Sequence, residues 1–182
     1  MSEADLIRQA QQGDPDAWEP LMRTHQAAVF RLAYLLLGDP DEAEDAAQET
    51  FLRAYHALRR FDPSRPLRPW LMQIASNLVH NQRRSLGRQF KALMRLATEP
   101  AASEPSLAPD DTHALWHAIR KMSFEHQQVI YLRFFLDMSE QEISAAVGIA
   151  PGTVKSRLHR ALAALRQVIS RNYPQLEGSL NL

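Results

Sequence analysis

The 182-residue chain has no cysteine at all, and only six glycines. Without thiols a disulfide framework is excluded, and so is any zinc site built on thiolates. That usage fits a reducing compartment. Long hydrophobic runs are also missing. The most apolar stretch, Val29 to Leu37, is broken by Arg31 and falls far short of the ~20 residues that span a bilayer. The opening MSEADLIRQA has no basic segment followed by an apolar one, so no signal peptide is expected. A cytoplasmic protein without membrane insertion is the expectation. Strand signals are scarce too, because period-2 alternation is never sustained. Phosphate-cradling G-x-G-x-x-G and Walker loops are absent, as is H-E-x-x-H. No catalytic residue and no cofactor is therefore assigned. His113 and His117 stand at i and i+4, but a third ligand is lacking, and a helix surface is the better reading than a metal site. What is present is ordinary for a globular protein, with 45% hydrophobic residues, which excludes a disordered chain.

Net charge is missing as well, with 21 basic and 21 acidic groups, but the balance hides alternation. Residues 1–58 carry a net charge of −7, residues 59–95 carry +8, residues 96–142 carry −5 and residues 143–182 carry +4. Basic blocks point to polyanions, and acidic blocks to a basic partner or to solubility.

Helix punctuation dominates. Ser2 with Asp5 reads as a capping box opening a first helix that ends at Gly13. Asp14-Pro15 opens a second helix, stopped by Gly38, and Asp39-Pro40 a third, reaching Arg60. Residues 61–69, FDPSRPLRP, contain three prolines and read as a loop. A fourth helix is expected from about Pro69 or Trp70 to Arg84, with an extension over Leu86–Ala97 beyond a break at Gly87. Residues 98–112, TEPAASEPSLAPDDT, combine three prolines with four acidic groups, a linker composition. Helices are then expected at 112–121, 124–136, 139–147 and 151–170. The fold class is all-α, with two helical domains (1–97 and 113–182) joined by a flexible proline-rich linker.

The most specific motif lies between Ser139 and Arg166. Ser139 and Glu142 form a capping box, Gly148 stops that helix, and Pro151 starts the next. Two helices joined by a tight glycine-containing turn make a helix-turn-helix. Val154, Leu158, Ala161, Leu162 and Leu165 form one apolar stripe on the second helix. The opposite face gathers Thr153, Ser156 and Arg160, flanked by Lys155, Arg157 and His159. Short hydroxyls among cations suit a DNA major groove, where cations grip phosphates and arginine reads guanine.

The second basic block follows the proline-rich loop. Leu71, Ile74, Ala75, Leu78 and Val79 form its apolar stripe, and Gln73, Asn77, His80, Asn81 and Arg84 fall mainly off it. Amides can address base edges and the arginines, Arg83 included, can hold phosphates. Tyr55, Phe61 and Trp70 are candidates for stacking on unpaired bases, although a tryptophan opening an amphipathic helix more often packs. In the acidic block, residues 39–51 hold six carboxylates. Some serve helix capping, but Asp45, Gln48, Glu49 and Leu52 share a face that can meet a basic helix.

DEAEDAAQETFLRAYHAL, RPWLMQIASNLVHNQRR and FEHQQVIYLRFFLDMSEQEISAAVGIAPGTVKSRLHRALAALR together resemble bacterial RNA polymerase sigma factors of the extracytoplasmic-function group. The resemblance covers about residues 5 to 170. It implies that Asp45, Gln48, Glu49, Phe51 and Leu52 dock on the clamp coiled coil of core RNA polymerase. It implies a −10 promoter reader in Phe61, Arg65, Trp70, Gln73, Asn77, His80, Asn81, Arg83 and Arg84. It implies a −35 reader in Thr153, Lys155, Ser156, Arg157, His159 and Arg160. The polymerase flap and an anti-sigma factor are further partners of that family, and the linker would thread along the polymerase. A stand-alone helix-turn-helix repressor or activator is the alternative, and it leaves residues 39–84 without a role.

Overall fold

Ser2 accepts a hydrogen bond from the Asp5 N–H, and the Asp5 carboxylate accepts one from the Ser2 N–H. This capping box opens α1, Glu3–Gln11, in the computed structural model, which describes residues 2–94 and 111–174, with side chains up to 86 and from 114. Asp14 caps α2 (Pro15–Leu37), whose end is set by Gly38 at φ 84°. Asp39 caps α3 (Pro40–Ala57) through the Glu42 N–H at 2.9 Å. With two residues between them, α2 and α3 form a helical hairpin. Ala43, Ala46 and Ala54 of α3 are buried there and let the backbones approach, beside fully buried Val29, Leu32 and Leu36 of α2. Each such aliphatic side chain contributes roughly 1.5–3 kcal/mol of burial. A 3-10 turn, Leu58–Arg60, follows α3.

α4, Leu67–Met94, packs on both α2 and α3. It starts two residues before the expected proline and runs straight through Gly87, so the break expected there is absent. One glycine inside a helix costs about 1 kcal/mol relative to alanine, too little to end one by itself.

The second unit comprises α5 (Asp111–Arg120), α6 (Phe124–Ile130), α7 (Glu140–Val147) and α8 (Pro151–Asn172). The linker expected at 98–112 lies outside the described residues except for Asp111 and Thr112, which open α5. The single helix expected over 124–136 is two pieces, because a π turn spans Tyr131–Phe135. There the Leu136 N–H reaches the Tyr131 carbonyl at 3.1 Å, five residues back, the mark of a π-bulge. Ser139 and Glu142 form the expected capping box on α7, and Gly148 ends that helix at φ 73°. Val154, Leu158, Ala161 and Leu165 of α8 are buried, as the stripe predicts. Among the described residues all regular structure is helical, and no helix there is long and apolar enough to cross a membrane.

Candidate functional site

Helices α2 and α3 leave a groove of about 840 Å³, walled by Trp18, Met22 and Phe30 of α2 and by Gln48, Phe51 and Leu52 of α3. Phe51 is buried at its floor, with the Trp18 ring edge-on at 6.3 Å. It is therefore part of the wall rather than an outward contact. Leu52, by contrast, is 52% exposed. Glu44 and Gln48 line the groove, Asp45 is exposed next to Glu44 outside the lining, and Glu49 pairs with Arg53 at 2.6 Å. An apolar trough edged by carboxylates fits a helical partner that presents apolar and basic side chains. Sequence reading missed the α2 wall. Its signal was available: Trp18, Met22 and Phe30 sit at multiples of four, a second apolar stripe beside Leu21, Val29, Leu32 and Leu36.

The loop that precedes α4 is built locally and clasped from outside. Asp62 accepts from the Ser64 N–H at 2.9 Å and from its hydroxyl at 2.8 Å, which holds the Asp62 carboxyl below its usual range. α1 then holds both ends of the loop. Gln11 donates to the carbonyls of Leu58 (2.9 Å) and Phe61 (2.7 Å). Glu3 accepts from the Leu67 N–H at 3.4 Å, and its other oxygen meets buried His25 at 2.8 Å. No sequence pattern announced this clasp, because its partners stand about fifty residues apart.

The expected −10 residues do not form one surface. Phe61 is only 8% exposed and packs on Trp70 with centroids 4.6 Å apart. Its ring is committed to the loop's core instead of being offered to a base. Trp70 is half-buried, which favours the packing role weighed for it. Arg65, Asn77, Asn81 and Arg84 are exposed. Gln73, His80 and Arg83 are half-buried against the second unit. His80 packs on Phe124 with ring centroids 4.4 Å apart, and Arg83 donates to Gln127 Oε1 at 3.0 Å. Tyr55 is exposed beside Trp18, near the groove and away from α4.

The expected −35 residues do form one surface. Thr153, Lys155, Ser156, His159 and Arg160 are exposed and Arg157 is half-buried. Ser144 locks the turn by donating to the Ile149 carbonyl at 2.6 Å. Ala150, at the N-cap, offers no side-chain cap, but Pro151 has no N–H and the Thr153 N–H donates to the Ala150 carbonyl at 2.9 Å, so the Gly152 N–H is the one of the first three positions left for a phosphate oxygen. None of the cations on this face has an ion pair among the described residues. A face of unpaired cations and short hydroxyls on a helix-turn-helix is suited to duplex DNA.

Comparisons with known proteins agree with this geometry. Residues 21–89 match the family model for sigma-70 region 2, and residues 112–165 match that for sigma-70 region 4. The ECF RNA polymerase sigma factor SigL of Mycobacterium tuberculosis is 38% identical over 149 residues, spanning 78% of this chain and 82% of SigL. The structure of CnrH in complex with the cytosolic domain of CnrY superposes with a TM-score of 0.70 at 25% identity, covering 93% of this chain and 98% of that one. The sigma factor RpoE of Bartonella quintana, in complex with the anti-sigma factor NepR, superposes with a TM-score of 0.67 at 26% identity, covering 85% and 97%. A lone helix-turn-helix regulator would leave the region 2 match unused. The chain belongs to the extracytoplasmic-function (ECF) RNA polymerase sigma factors and directs core polymerase to promoters.

Proposed function

We propose that the three surfaces divide the work of initiation. The groove between α2 and α3, lined by Gln48 and Leu52 and flanked in sequence by Asp45 and Glu49, receives the clamp coiled coil of core polymerase. Exposed Asn77, Asn81 and Arg84 of α4, with Arg65 of the clasped loop, meet the −10 element as it melts. The exposed face of α8 enters the major groove at −35, and the second unit docks on the flap. Work on core polymerase places the protein in the cytoplasm. The observation that carries this reading is the segregation of charge. The carboxylates stand beside an apolar groove, and the unpaired cations and hydroxyls stand on a helix-turn-helix at the other end of the chain. An anti-sigma protein is proposed as a further partner, supported by the likeness to RpoE, which was solved with NepR.

The test is a pair of double variants assayed with core polymerase. Lys155→Ala with Arg160→Ala removes two cations from α8. It should abolish most promoter-directed transcription and leave core binding unchanged, while the salt dependence of DNA binding falls by about two contacts' worth. Asp45→Lys with Glu49→Lys should do the reverse. Equal loss of core binding in both variants would refute the division of labour.

A further inference from the structure

Where α1 ends against the 3-10 turn after α3, a second cavity of about 310 Å³ is lined by Ala10 and Gly13 on one side and by Tyr55, His56, Leu58 and Arg59 on the other. That volume lies at the small end of the range for small-ligand sites, ~300–1,000 Å³. Ala10 and Leu58 are buried and supply its apolar part. Tyr55, His56 and Arg59 are exposed. The Tyr55 and His56 rings meet edge-on, with centroids 6.2 Å apart. Gly13 turns the chain at φ 96°, and a Cβ at that position would meet nothing within 4 Å. The cavity is therefore open over bare backbone at that wall. It adjoins the −10 loop at the loop's start. Leu58 lines the cavity, Phe61 opens the loop, and the one amide of Gln11 donates to both carbonyls, at 2.9 and 2.7 Å.

The charge at this cavity is out of step with its surroundings. Residues 1–58 carry a net charge of −7, yet Arg59 and Arg60 follow at once. Both are exposed, and neither has an ion pair among the described residues. No acidic residue lines the cavity. The carboxylate next in sequence to Gly13, that of Asp14, accepts from the Asp16 N–H at 3.0 Å. A free guanidinium beside two rings, over an apolar base, is a donor set for a nucleotide. Rings stack on a base whatever its identity, and a guanidinium takes a phosphate through two parallel hydrogen bonds. An inorganic anion would use Arg59 and leave the rings idle.

We propose that this cavity is a nucleotide-binding subsite, in which a base packs on His56 and Tyr55 and its phosphate pairs with Arg59. The proposal rests on the reading of the clasped loop and α4 as the −10 reader and deepens it. A melted strand that meets Asn77, Asn81 and Arg84 continues past the loop and leaves one nucleotide here. A free nucleotide offers the same chemistry, and the test separates the two sources. One base–ring stack is worth roughly 5- to 150-fold in affinity, enough to be read in a single substitution.

The test uses the full chain with core polymerase. The probe is a fork-junction DNA at low salt, a duplex whose non-template strand continues as a mixed-sequence single-stranded arm. Arg59→Ala and His56→Ala are chosen because both side chains are exposed and neither lines the α2/α3 groove. Each should weaken fork binding about tenfold, and Arg59→Ala should reduce the salt slope by about one contact. Arg59→Lys and His56→Phe should recover most of the affinity. An abasic site scanned along the arm should find one position where base removal weakens the native protein about tenfold and His56→Ala no further. Losses that add at every position would overturn the seating of a base on His56. In the second arm, the four nucleoside monophosphates are titrated at millimolar concentration into the chain alone, with inorganic phosphate as control. If the ligand is a free nucleotide, a monophosphate binds the native chain but not Arg59→Ala, and neither variant alters fork affinity. Unchanged fork affinity in both variants with no monophosphate bound would overturn the subsite. So would inorganic phosphate that binds as well as any nucleotide, since the rings would then play no part. Failure of the underlying −10 reading looks different. In that case Asn77→Ala with Arg84→Ala would leave fork binding unchanged while Arg59→Ala still weakened it.

Discussion

Thr153, Lys155, Ser156, His159 and Arg160 of α8 stand open together, whereas on α4 Gln73, His80 and Arg83 are half-buried while Asn77, Asn81 and Arg84 are exposed. Both helices are amphipathic and both carry cations off their apolar stripe. The difference is in how they are mounted. α8 presses one stripe onto its own unit, and among the described residues the opposite side is left exposed. α4 is the longest helix, Leu67–Met94. It packs on α2 and α3 along one side and on α7 along another. Amphipathicity tells which side of a helix is buried in its own domain. It does not tell whether a neighbouring domain lies over the polar side.

The comparison is tested most severely in the two cores. Leu71 of α4 is fully buried, and Leu165 of α8 is 2% exposed. Leu→Ala at either should cost about 2–5 kcal/mol, read as a shifted midpoint in chemical denaturation. The contacts between the units described above are a ring packing and a hydrogen bond to a neutral amide, so the units should unfold in separate transitions. Leu165→Ala then shifts one transition and leaves the other in place. A single transition moved equally by both variants would mean that the two units are bound tightly to each other.

A smaller effect is expected at the clasp. Gln11→Ala removes the two hydrogen bonds to the Leu58 and Phe61 carbonyls, worth about 1–2 kcal/mol together. It should make the loop after α3 sensitive to protease and reduce melting at −10, with −35 binding by α8 untouched. Equal damage to both DNA activities would show that α1 supports the whole protein instead of this loop.

These sites differ in how far they were legible beforehand. The helix-turn-helix could be read in full because its signals are local: Ser139 with Glu142, Gly148 and Pro151 lie within thirteen residues. The caps at Asp14 and Asp39 were legible for the same reason. The π turn at Tyr131–Phe135 was not, since it follows from packing around buried Tyr131 and Leu132 rather than from a breaker residue. Phe61 was read as a base-stacking ring because its partner, Trp70, lies across a proline loop. Gln73, His80 and Arg83 were grouped with Asn77 because all are polar. Only the fold shows that the second unit separates them. The α2 wall of Trp18, Met22 and Phe30 had a local signal in its spacing, but the Phe61–Trp70 packing, the α1 clasp and the cover over Gln73, His80 and Arg83 are contacts between residues whose own sequence neighbourhoods carry no trace of them.

The smallest expected effect compares the two capping boxes. In α1, Asp5 is drawn down to about 2 by the Ser2 hydroxyl, the Ser2 N–H and Arg8. In α7, the Glu142 carboxyl is lowered first by the Ser139 N–H, at 2.8 Å, and then by the Ser139 hydroxyl, with a minor pull from Arg68 of the first unit. Both groups are held below their unfolded values, so each stabilises the fold above the unfolded pKa. That contribution is lost as pH falls through the folded pKa. Glu142→Gln retains an acceptor but cannot ionise, so its deficit should be present near neutrality and vanish as acid protonates the wild-type carboxyl. Ser139→Ala removes the N-cap itself and should cost about 1 kcal/mol. Thermal melts of wild type and Glu142→Gln should therefore converge only at a pH below the usual glutamate range. The corresponding Asp5→Asn pair should stay apart until the pH nears 2, the value of Asp5 in the fold. If both pairs converge over the same range, the different environments of the two boxes do not set their titration. The charge that Arg68 of the first unit brings to Glu142 would then be without effect on α7.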